Sequence, residues 1–471
     1  MMLLPRRFRA GAARRAEVGC RALIALPLIV ALACALSAAC SAGAAGDPRE
    51  GQIIVDPDNP AAFARYHETG EPTTVFLAGP GDPEDFLYRG SREANGTRIG
   101  DQDEIIDRLI AAGANTLFME TYRVPPGDGN ETHHPFVDRA RLELGLNEDV
   151  MQQWQSWLAR LDAAEIATVL CLYDDATTPF GGAGRIIGET ERQYVRAMVS
   201  RFKGMKNLIW CIAEEYSEAN STSNVVDLAA VVRTEDERAH PIAVHQVDGL
   251  SFDFATTAGI DQFLVQRNVH GDREAIHADM ATAQATMMAG ARRYNVALTE
   301  SGGHYDALAP DREATRRFSW AAAMAGTYVM VLDMNVIDTP AAILEDHGRM
   351  VNFFERTAFA QLVSRDDLAL GDTRYVLARP GVGYILYSES VGSAGLGARD
   401  LPAARYDVQW YDPQSGVTEV TAGVSVAGGD RVFSRPDGIG SEAVLYLADQ
   451  SGLATAPLAP CAVAVACGAC F

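Results

Sequence analysis

Eight short apolar runs, most of them separated by a helix-like segment, constrain the fold of this chain more than any other feature of its sequence. The runs are rich in β-branched and aromatic residues, and the segments between them repeat their apolar residues with a helical period. The runs are residues 73–81, 115–122, 167–175, 207–215, 241–249, 261–266, 295–303 and 327–335. Near-continuous apolar strands that alternate with helices are typical of a parallel sheet covered on both faces. Eight of them predict a (β/α)8 barrel, also called a TIM barrel.

The helix boundaries support this interpretation. The segment DQDEIIDRLIAAG places Gly113 where a helix ends, and Asn147 is a predicted N-cap for the segment NEDVMQQWQSWLARLDAA. An open doubly wound sheet is the alternative, but no GxGxxG or P-loop opens the first helix. The sequence PGDPED after the first strand lacks the consecutive glycine-backed amides that cradle a phosphate. The barrel is therefore favoured.

From about residue 366 the pattern changes to short alternating strands with turn residues between them. The segment DPQSG is one such turn, since Pro413 fixes φ and Gly416 permits a positive φ. This region predicts a small antiparallel β-sandwich. The predicted organisation is an export segment at 1–40, a linker at 41–60, the barrel at 61–362, the sandwich at 366–450 and an apolar tail of unassigned role at 451–471.

The first 40 residues have the layout of a secretory signal. A basic segment, RRFRAGAARR, precedes the uncharged run ALIALPLIVALACALSAA, and small residues lead to Cys40. LSAAC resembles a bacterial lipobox, which implies that Cys40 is lipidated. A cleaved soluble product and an uncleaved single-span anchor remain alternatives. We expect an exported protein at the cell surface or in the periplasm, with a lipid anchor as its contact with the membrane.

Charge and cysteine content exclude several classes of function. The chain has 40 basic and 62 acidic residues, and its net charge of −22 argues against nucleic-acid binding. The eight cysteines form neither a zinc pattern nor a disulfide framework. Cys171 and Cys211, inside two apolar runs, are predicted to be small buried hydrophobes, and a disulfide between them is conceivable if their strands are neighbours.

In a (β/α)8 barrel the active site lies at the C-terminal ends of the strands. The polar residues there are Asp82, Glu120, Tyr122, Asp174, Asp175, Glu214, Glu215, His245, Asp248, Gln266, Glu300, Asp333 and Asn335. Strand one lacks the His-x-His of a metal-dependent amidohydrolase. The hydroxyl, amide and aromatic groups suit a neutral polyol better than an anionic ligand, for which clustered arginines or a glycine nest would be expected.

Glu215 and Glu300 stand out because each ends an apolar strand, the fourth and the seventh. These strands lie across the barrel mouth from each other, so the two carboxyls can converge on one bond. Glycoside cleavage uses such a pair, one protonated acid and one ionised carboxylate. A separation near 5–5.5 Å gives retention of configuration, and about 6.5–9.5 Å leaves room for a water molecule and gives inversion.

NLIWCIAEEY resembles the strand-four motif of clan A glycoside hydrolases, usually Ile-Trp-x-x-x-Asn-Glu, and TESG resembles their strand-seven nucleophile segment. With WAAAMAGTYVMVLD and VQWYDPQSG, residues 60 to 450 resemble apiosidase-like barrels that end in a collagen-binding-type β-domain. The resemblance implies that Glu215 is the general acid/base and Glu300 the nucleophile. Glu214 stands where the family has the asparagine that binds the sugar 2-hydroxyl, and Gln266 stands where a strand-six tyrosine is expected.

The sequence therefore predicts a retaining glycoside hydrolase that acts on a poly- or oligosaccharide and needs no metal or organic cofactor. The predicted substrate-binding residues are Glu214, Asp82, Tyr122, Asp174, His245, Gln266, His304 and Asp333. The competing interpretation of each of these residues is that it is simply a polar residue at the end of a strand, with no role in binding. A non-catalytic surface glycan-binding lipoprotein on a hydrolase-like barrel is the alternative function. A metal hydrolase using His133, His134, His245 or Asp333 is a third.

Overall fold

An eight-stranded parallel sheet dominates the residues that the computed structural model describes, namely 48–81, 86–123, 133–175, 178–301, 311–331 and 335–451. In chain order the strands to the end of this sheet are β1 (Ile53–Val55), β2 (Phe63–Arg65), β3 (Thr73–Val75), β4 (Ala78–Pro80), β5 (Ser91–Arg92), β6 (Arg98–Ile99), β7 (Thr116–Glu120), β8 (Ala167–Cys171), β9 (Leu208–Cys211), β10 (Ile242–Gln246), β11 (Gln262–Gln266), β12 (Asn295–Glu300) and β13 (Tyr328–Val331). The large sheet contains β4 and β7 to β13. Every residue of β7 to β11 is buried, as expected for a parallel sheet covered on both faces. The predicted (β/α)8 barrel is confirmed.

The sheet closes where β4 meets β7. The backbone amide of Asn115 donates to the carbonyl of Ala78, and the Asn115 side chain accepts from the Ala78 amide and donates to the Phe76 carbonyl. A Cβ on Gly79 would lie 2.8 Å from the Thr116 carbonyl oxygen, so only glycine permits this approach of the two strands. The Asn115 side chain thus supplies the interstrand hydrogen bonds that the short strand β4 cannot.

The first apolar run is divided between two sheets. Residues 73–75 form β3, which pairs antiparallel with β2 in a three-stranded sheet with β1, and the barrel strand begins only at Ala78. Strand β1 falls within the predicted linker 41–60. The small sheet contacts the N-terminal ends of the last barrel strands, since Asn295 Nδ2 donates to the Ala61 carbonyl and Tyr328 Oη accepts from the Phe63 amide. It therefore covers the end of the barrel opposite the mouth.

Helices surround the barrel, and two of their predicted ends are confirmed. Gly113 ends the first at φ 74°, and the Asn147 side chain accepts from the amides of Asp149 and Val150 at the start of the second. The helices of the described residues are α1 (Gln102–Ala112), α2 (Glu148–Ala163), α3 (Glu189–Phe202), α4 (Thr222–Glu235), α5 (Arg273–Ala289), α6 (Arg312–Ala323) and α7 (Ala341–Phe354), with 3-10 turns at Phe86–Tyr88, Leu142–Leu144, Phe359–Gln361 and Asp366–Leu368. None of these described helices is long and apolar enough to cross a bilayer.

Two antiparallel sheets follow the barrel, as predicted for a β-sandwich. Their strands are β14 (Val363–Ser364), β15 (Ala369–Gly371), β16 (Tyr375–Arg379), β17 (Gly383–Ser388), β18 (Leu396–Leu401), β19 (Ala404–Tyr411), β20 (Thr418–Val426), β21 (Gly429–Phe433) and β22 (Ala443–Asp449). A six-stranded sheet has the order β14-β16-β17-β22-β19-β20, and a three-stranded sheet has the order β15-β18-β21. Leu386, Leu396 and Trp410 belong to the apolar core between them. Gly416 has φ 76° in the predicted turn.

The barrel and the sandwich meet in a buried contact that joins apolar and charged groups. Trp320 of α6, which the sequence assigns to a packed helix, is fully buried and stacks on Tyr387 of β17 with ring centroids 5.4 Å apart. Beside this pair, Arg316 donates to both carboxylate oxygens of Glu442, at 3.0 and 2.7 Å. Both charged side chains are at most 3% exposed. The pairing satisfies two charges that would be costly to bury alone.

Candidate active site

Glu215 lies just beyond β9, in a turn whose backbone is strained. The apolar run ends at Ala213, and Glu215 has φ 30°, a left-handed value that a side chain with a Cβ rarely adopts. Its backbone amide donates to Nδ1 of His245, 3.1 Å away on the neighbouring strand β10. Strain of this kind persists only where the surrounding contacts impose it, and it occurs often at functional sites.

Glu300 lies at the end of β12, beside Gln266 at the end of β11. The two residues are register partners in the parallel ladder, and Gln266 Nε2 donates to Glu300 Oε1 over 2.6 Å. Gln266 also interacts with the Glu215 carboxyl and lowers its pKa, whereas the negative charge of Glu300 raises it. This electrostatic effect of Glu300 on Glu215 shows that the two carboxyls lie near each other at the mouth of the barrel.

The pKa of Glu215 is raised to about 8. Burial of the carboxyl is the largest cause, and the negative charges of Glu300 and Glu218 add to it, whereas the bond from Gln266 opposes it. Glu215 is thus protonated at neutral pH while Glu300 keeps an N–H donor at its carboxylate. This separation of two neighbouring carboxyls into an acid and a base is what acid/base chemistry near neutrality requires.

Glu214 and His245 form a second, deeper pair. His245 is fully buried, and Oε1 of Glu214 lies 2.6 Å from its Nδ1. Burial lowers the pKa of His245 to about 3, so the imidazole is neutral. Nδ1 thus meets both the Glu215 amide and the Glu214 carboxyl, which hold the ring in place. Nε2 lies 3.9 Å from Oε2 of Glu300, beyond hydrogen-bond distance, and has no hydrogen-bond partner among the described residues.

Ligand atoms of Glu214, His245 and Glu300 lie within 4.8 Å of one another, close enough for a metal ion. However, Nδ1 of the imidazole approaches Glu214 while Nε2 approaches Glu300, and the two nitrogens point away from each other. A single ion would therefore take only one of these two nitrogens together with the two carboxylates. His133, which the third interpretation uses as a ligand, accepts from Arg98 through Nδ1 at 2.9 Å and stacks on Tyr88. The Arg98 guanidinium therefore occupies the Nδ1 lone pair of His133, which disfavours this residue as a metal ligand.

Tyr122 and Asp174 lie side by side at the ends of the second and third barrel strands. The Asp174 amide donates to the Tyr122 carbonyl over 3.1 Å, and both residues are fully buried. Burial raises the pKa of the Tyr122 hydroxyl. Their predicted contact with substrate stays a prediction. Asp82, His304, Asp333 and Cys40 lie outside the described residues.

The sequence missed two features of this site. Glu218 is exposed one helical turn beyond Glu214, and its carboxylate lies within 4.8 Å of those of Asp175 and Glu215. The sequence pattern did not identify Glu218 because this residue follows the end of the strand by several positions. The bond of Gln266 to Glu300 was also missed, since it depends on the register between β11 and β12 and on a shift in that register at Val265.

Comparison with solved structures finds the same fold in glycoside hydrolases. A structure described as a glycoside hydrolase matches with a TM-score of 0.61 and 14% identity, over 85% of this chain and 98% of that chain. A glycoside hydrolase family 5 structure from Bacteroides vulgatus matches with a TM-score of 0.59 and 14% identity, over 85% of this chain and 94% of that chain. No protein-family model and no curated protein matches the sequence. At this identity the likeness is one of fold.

Proposed function

We propose that this chain is a retaining glycoside hydrolase, in which Glu215 is the general acid/base and Glu300 the nucleophile. The observation that carries the proposal is the interaction of the two carboxyls: the negative charge of Glu300 raises the pKa of Glu215, and Gln266 both donates to Glu300 and lowers the pKa of Glu215. A retaining mechanism requires the two carboxyls to lie about 5 Å apart, which leaves no room for a water molecule between them. The likeness in fold to glycoside hydrolases supports the same conclusion.

The proposed reaction has two steps. Glu215, protonated up to a pH of about 8, donates its proton to the leaving oxygen, while the Glu300 carboxylate attacks the anomeric carbon and forms a glycosyl ester. Glu215 then removes a proton from a water molecule, and the resulting hydroxide breaks the ester and restores Glu300. The bond that Gln266 Nε2 donates to Glu300 Oε1 positions the nucleophile before the first step.

Trapping of the covalent intermediate tests this proposal. A panel of 2-fluoroglycosides and glycosyl epoxides should inactivate the protein, and peptide mapping should find the label on Glu300. The Glu300→Gln variant is the matched control, and it should remain unlabelled. Glycan binding with no turnover and no label, across a broad aryl-glycoside panel, would instead favour a non-catalytic glycan-binding protein.

We also propose, from the sequence pattern of residues 1–40, that the chain is exported and anchored through a lipid on Cys40. Its substrate would then be a carbohydrate met outside the cytoplasm. Palmitate labelling that a Cys40→Ala change abolishes would establish the anchor. A secreted product of the same size with no lipid would overturn it.

A further inference from the structure

Cys171 and Cys211 face each other inside the barrel, and the proposed reaction uses neither. They are register partners on the parallel strands β8 and β9, and both are fully buried. Trp210, the residue before Cys211, donates its indole N–H to Asp236 just beyond helix α4, and so faces the helices. Side chains alternate along a strand, so Cys211 faces the barrel interior, and its register partner Cys171 faces the same way.

The positions of Cys171 and Cys211 meet the geometric requirements of a disulfide. Neighbouring strands lie about 4.8 Å apart, so the Cα atoms of register partners fall within the range of about 4.4–6.8 Å that a disulfide spans. The two Sγ atoms are in contact, 2.7 Å apart. The other polar contact of each sulfur among the described residues is a carbonyl oxygen two positions further along its own chain, at 3.5 Å. The sulfurs can therefore be joined without a shift of either strand.

Two other uses of a cysteine pair fit this environment less well. A structural zinc ion takes four ligands, but neither cysteine belongs to a group of three metal-ligating side chains among the described residues. A nucleophilic cysteine needs an accessible thiolate. Burial, contact with Cys211 and the charges of Glu120 and Glu214 instead raise the pKa of Cys171 well above its usual value, so this thiol stays protonated in the folded protein. The environment therefore favours a structural role for the pair.

We propose that Cys171 and Cys211 form a disulfide between β8 and β9 when the chain folds in the presence of a disulfide oxidant, such as a thiol-oxidising protein. One cysteine thiolate attacks a sulfur of the oxidant, which forms a mixed disulfide and expels the other sulfur of the oxidant. The second cysteine then attacks the cysteine sulfur of the mixed disulfide and releases the remaining sulfur of the oxidant. Two electrons and the two thiol protons pass to the oxidant, whose disulfide becomes two thiols.

The bond would close a ring around one complete β/α unit of the barrel. The two cysteines are 40 positions apart, and helix α3 and the loop that carries Asp174 lie between them. A cross-link over such a length restricts the unfolded chain and so stabilises the fold. Because both sulfurs are buried, we expect the bond to form before the barrel closes and to resist reductants afterwards. Contact with an oxidant in the cell depends on the proposed export, since disulfides persist in oxidising compartments.

Peptide mapping by mass spectrometry tests the bond directly. The full chain is produced in bacteria with an oxidising or a reducing cytoplasm, alkylated with iodoacetamide in denaturant without a reductant, and digested with trypsin. Trypsin cuts after lysine and arginine and so places the two cysteines in peptides 161–185 and 207–233, each of which contains one cysteine. We expect the oxidised sample to give these peptides joined, two hydrogen atoms lighter than their sum, and the reduced sample to give both alkylated. Complete alkylation of both peptides in the oxidised sample would overturn the proposal.

Thermal unfolding tests whether the bond is structural. The oxidised protein should unfold about 5 °C higher than the reduced protein. The double variant Cys171→Ala/Cys211→Ala should remove this difference between the two preparations. Cys461→Ala, in the apolar tail, is the matched control and should preserve it. A difference of the same size in the double variant would assign the effect to other cysteines and contradict a structural bond at this position.

Discussion

Replacing Glu300 with glutamine removes one negative charge from the catalytic pair and keeps the size of the side chain. The pKa of Glu215 is raised to about 8 by its burial, by the charge of Glu300 and by that of Glu218, in that order. The substitution leaves burial and Glu218 in place. Because a neighbouring negative charge disfavours ionisation, its removal must lower the pKa of Glu215.

The size of this effect follows from the carboxyl separation that the proposed retaining mechanism requires, which is about 5 Å. At an effective dielectric constant of about 20, two unit charges at that distance repel each other by about 3 kcal/mol. That energy corresponds to about two pH units in the midpoint of the Glu215 titration. Burial should keep the midpoint above that of a glutamate in water.

Carbon-13 NMR of protein labelled in the glutamate carboxyl groups measures this midpoint directly. The Glu215 signal is assigned by its loss in a Glu215→Gln variant, and both proteins are titrated between pH 4 and about 10. A Glu218→Gln variant is the matched control, since it also removes one charge near Glu215 but leaves Glu300 intact. Its effect should be smaller, because Glu218 is exposed and screened by solvent.

Two results would refute the reasoning. If Glu215 titrates at the same pH with and without the charge on Glu300, the two carboxyls do not interact across the barrel mouth. If the wild-type midpoint is that of an ordinary glutamate, burial does not hold the acid protonated. In the second case activity would also fall at a pH well below about 8, because the general acid would already have lost its proton.

Three further outcomes are expected. Gln266→Leu should lower kcat about 100-fold and raise the pKa of Glu215, because Glu300 loses an N–H donor and Glu215 loses the interaction that lowers its pKa; kinetics and the same NMR titration check this, and unchanged kcat would contradict it. Glu442→Ala should destabilise the fold by about 3–5 kcal/mol in urea unfolding, because the buried Arg316 loses both of its bonds to Glu442 and keeps only the contact with Asp346 at 3.4 Å, whereas Glu313→Ala, at an exposed pair, should cost less than about 1 kcal/mol. Stability should fall as the pH drops from about 6.5 toward 3, partly because His245 is protonated in the unfolded chain but stays neutral in the folded protein; His245→Gln should flatten that part of the urea-unfolding profile, and an unaltered slope would contradict the assignment.

The barrel was predictable because its strands are buried on both faces. Such strands consist almost wholly of apolar residues, and polar groups can appear only where they end, so Glu215 and Glu300 could be identified as strand-end acids. The division of the first run was not predictable in this way. Residues 73–75 have the same β-forming composition as the strand that follows, and only the pairing of β3 with β2 separates them.

The contacts inside the site depend on pairing between distant strands, which a single sequence does not reveal. The partnership of Glu214 with His245 requires that β9 and β10 be neighbours, and that of Gln266 with Glu300 requires one register of β11 on β12. Cys171 and Cys211 illustrate the same limit. They are free cysteines directly opposite each other on β8 and β9, with Sγ atoms 2.7 Å apart, and the sequence showed only that each lies in an apolar run.

The left-handed backbone at Glu215 has a consequence for how this chain can change over generations. Glycine adopts that conformation without a steric penalty, so exchanging the acid for glycine would relax the turn even as it removed the proton donor. At this position the stability of the turn favours glycine, whereas the proposed chemistry requires glutamate. Related sequences that no longer need to protonate a leaving group would therefore be expected to carry glycine here, and sequences that keep glutamate keep it at a cost in stability.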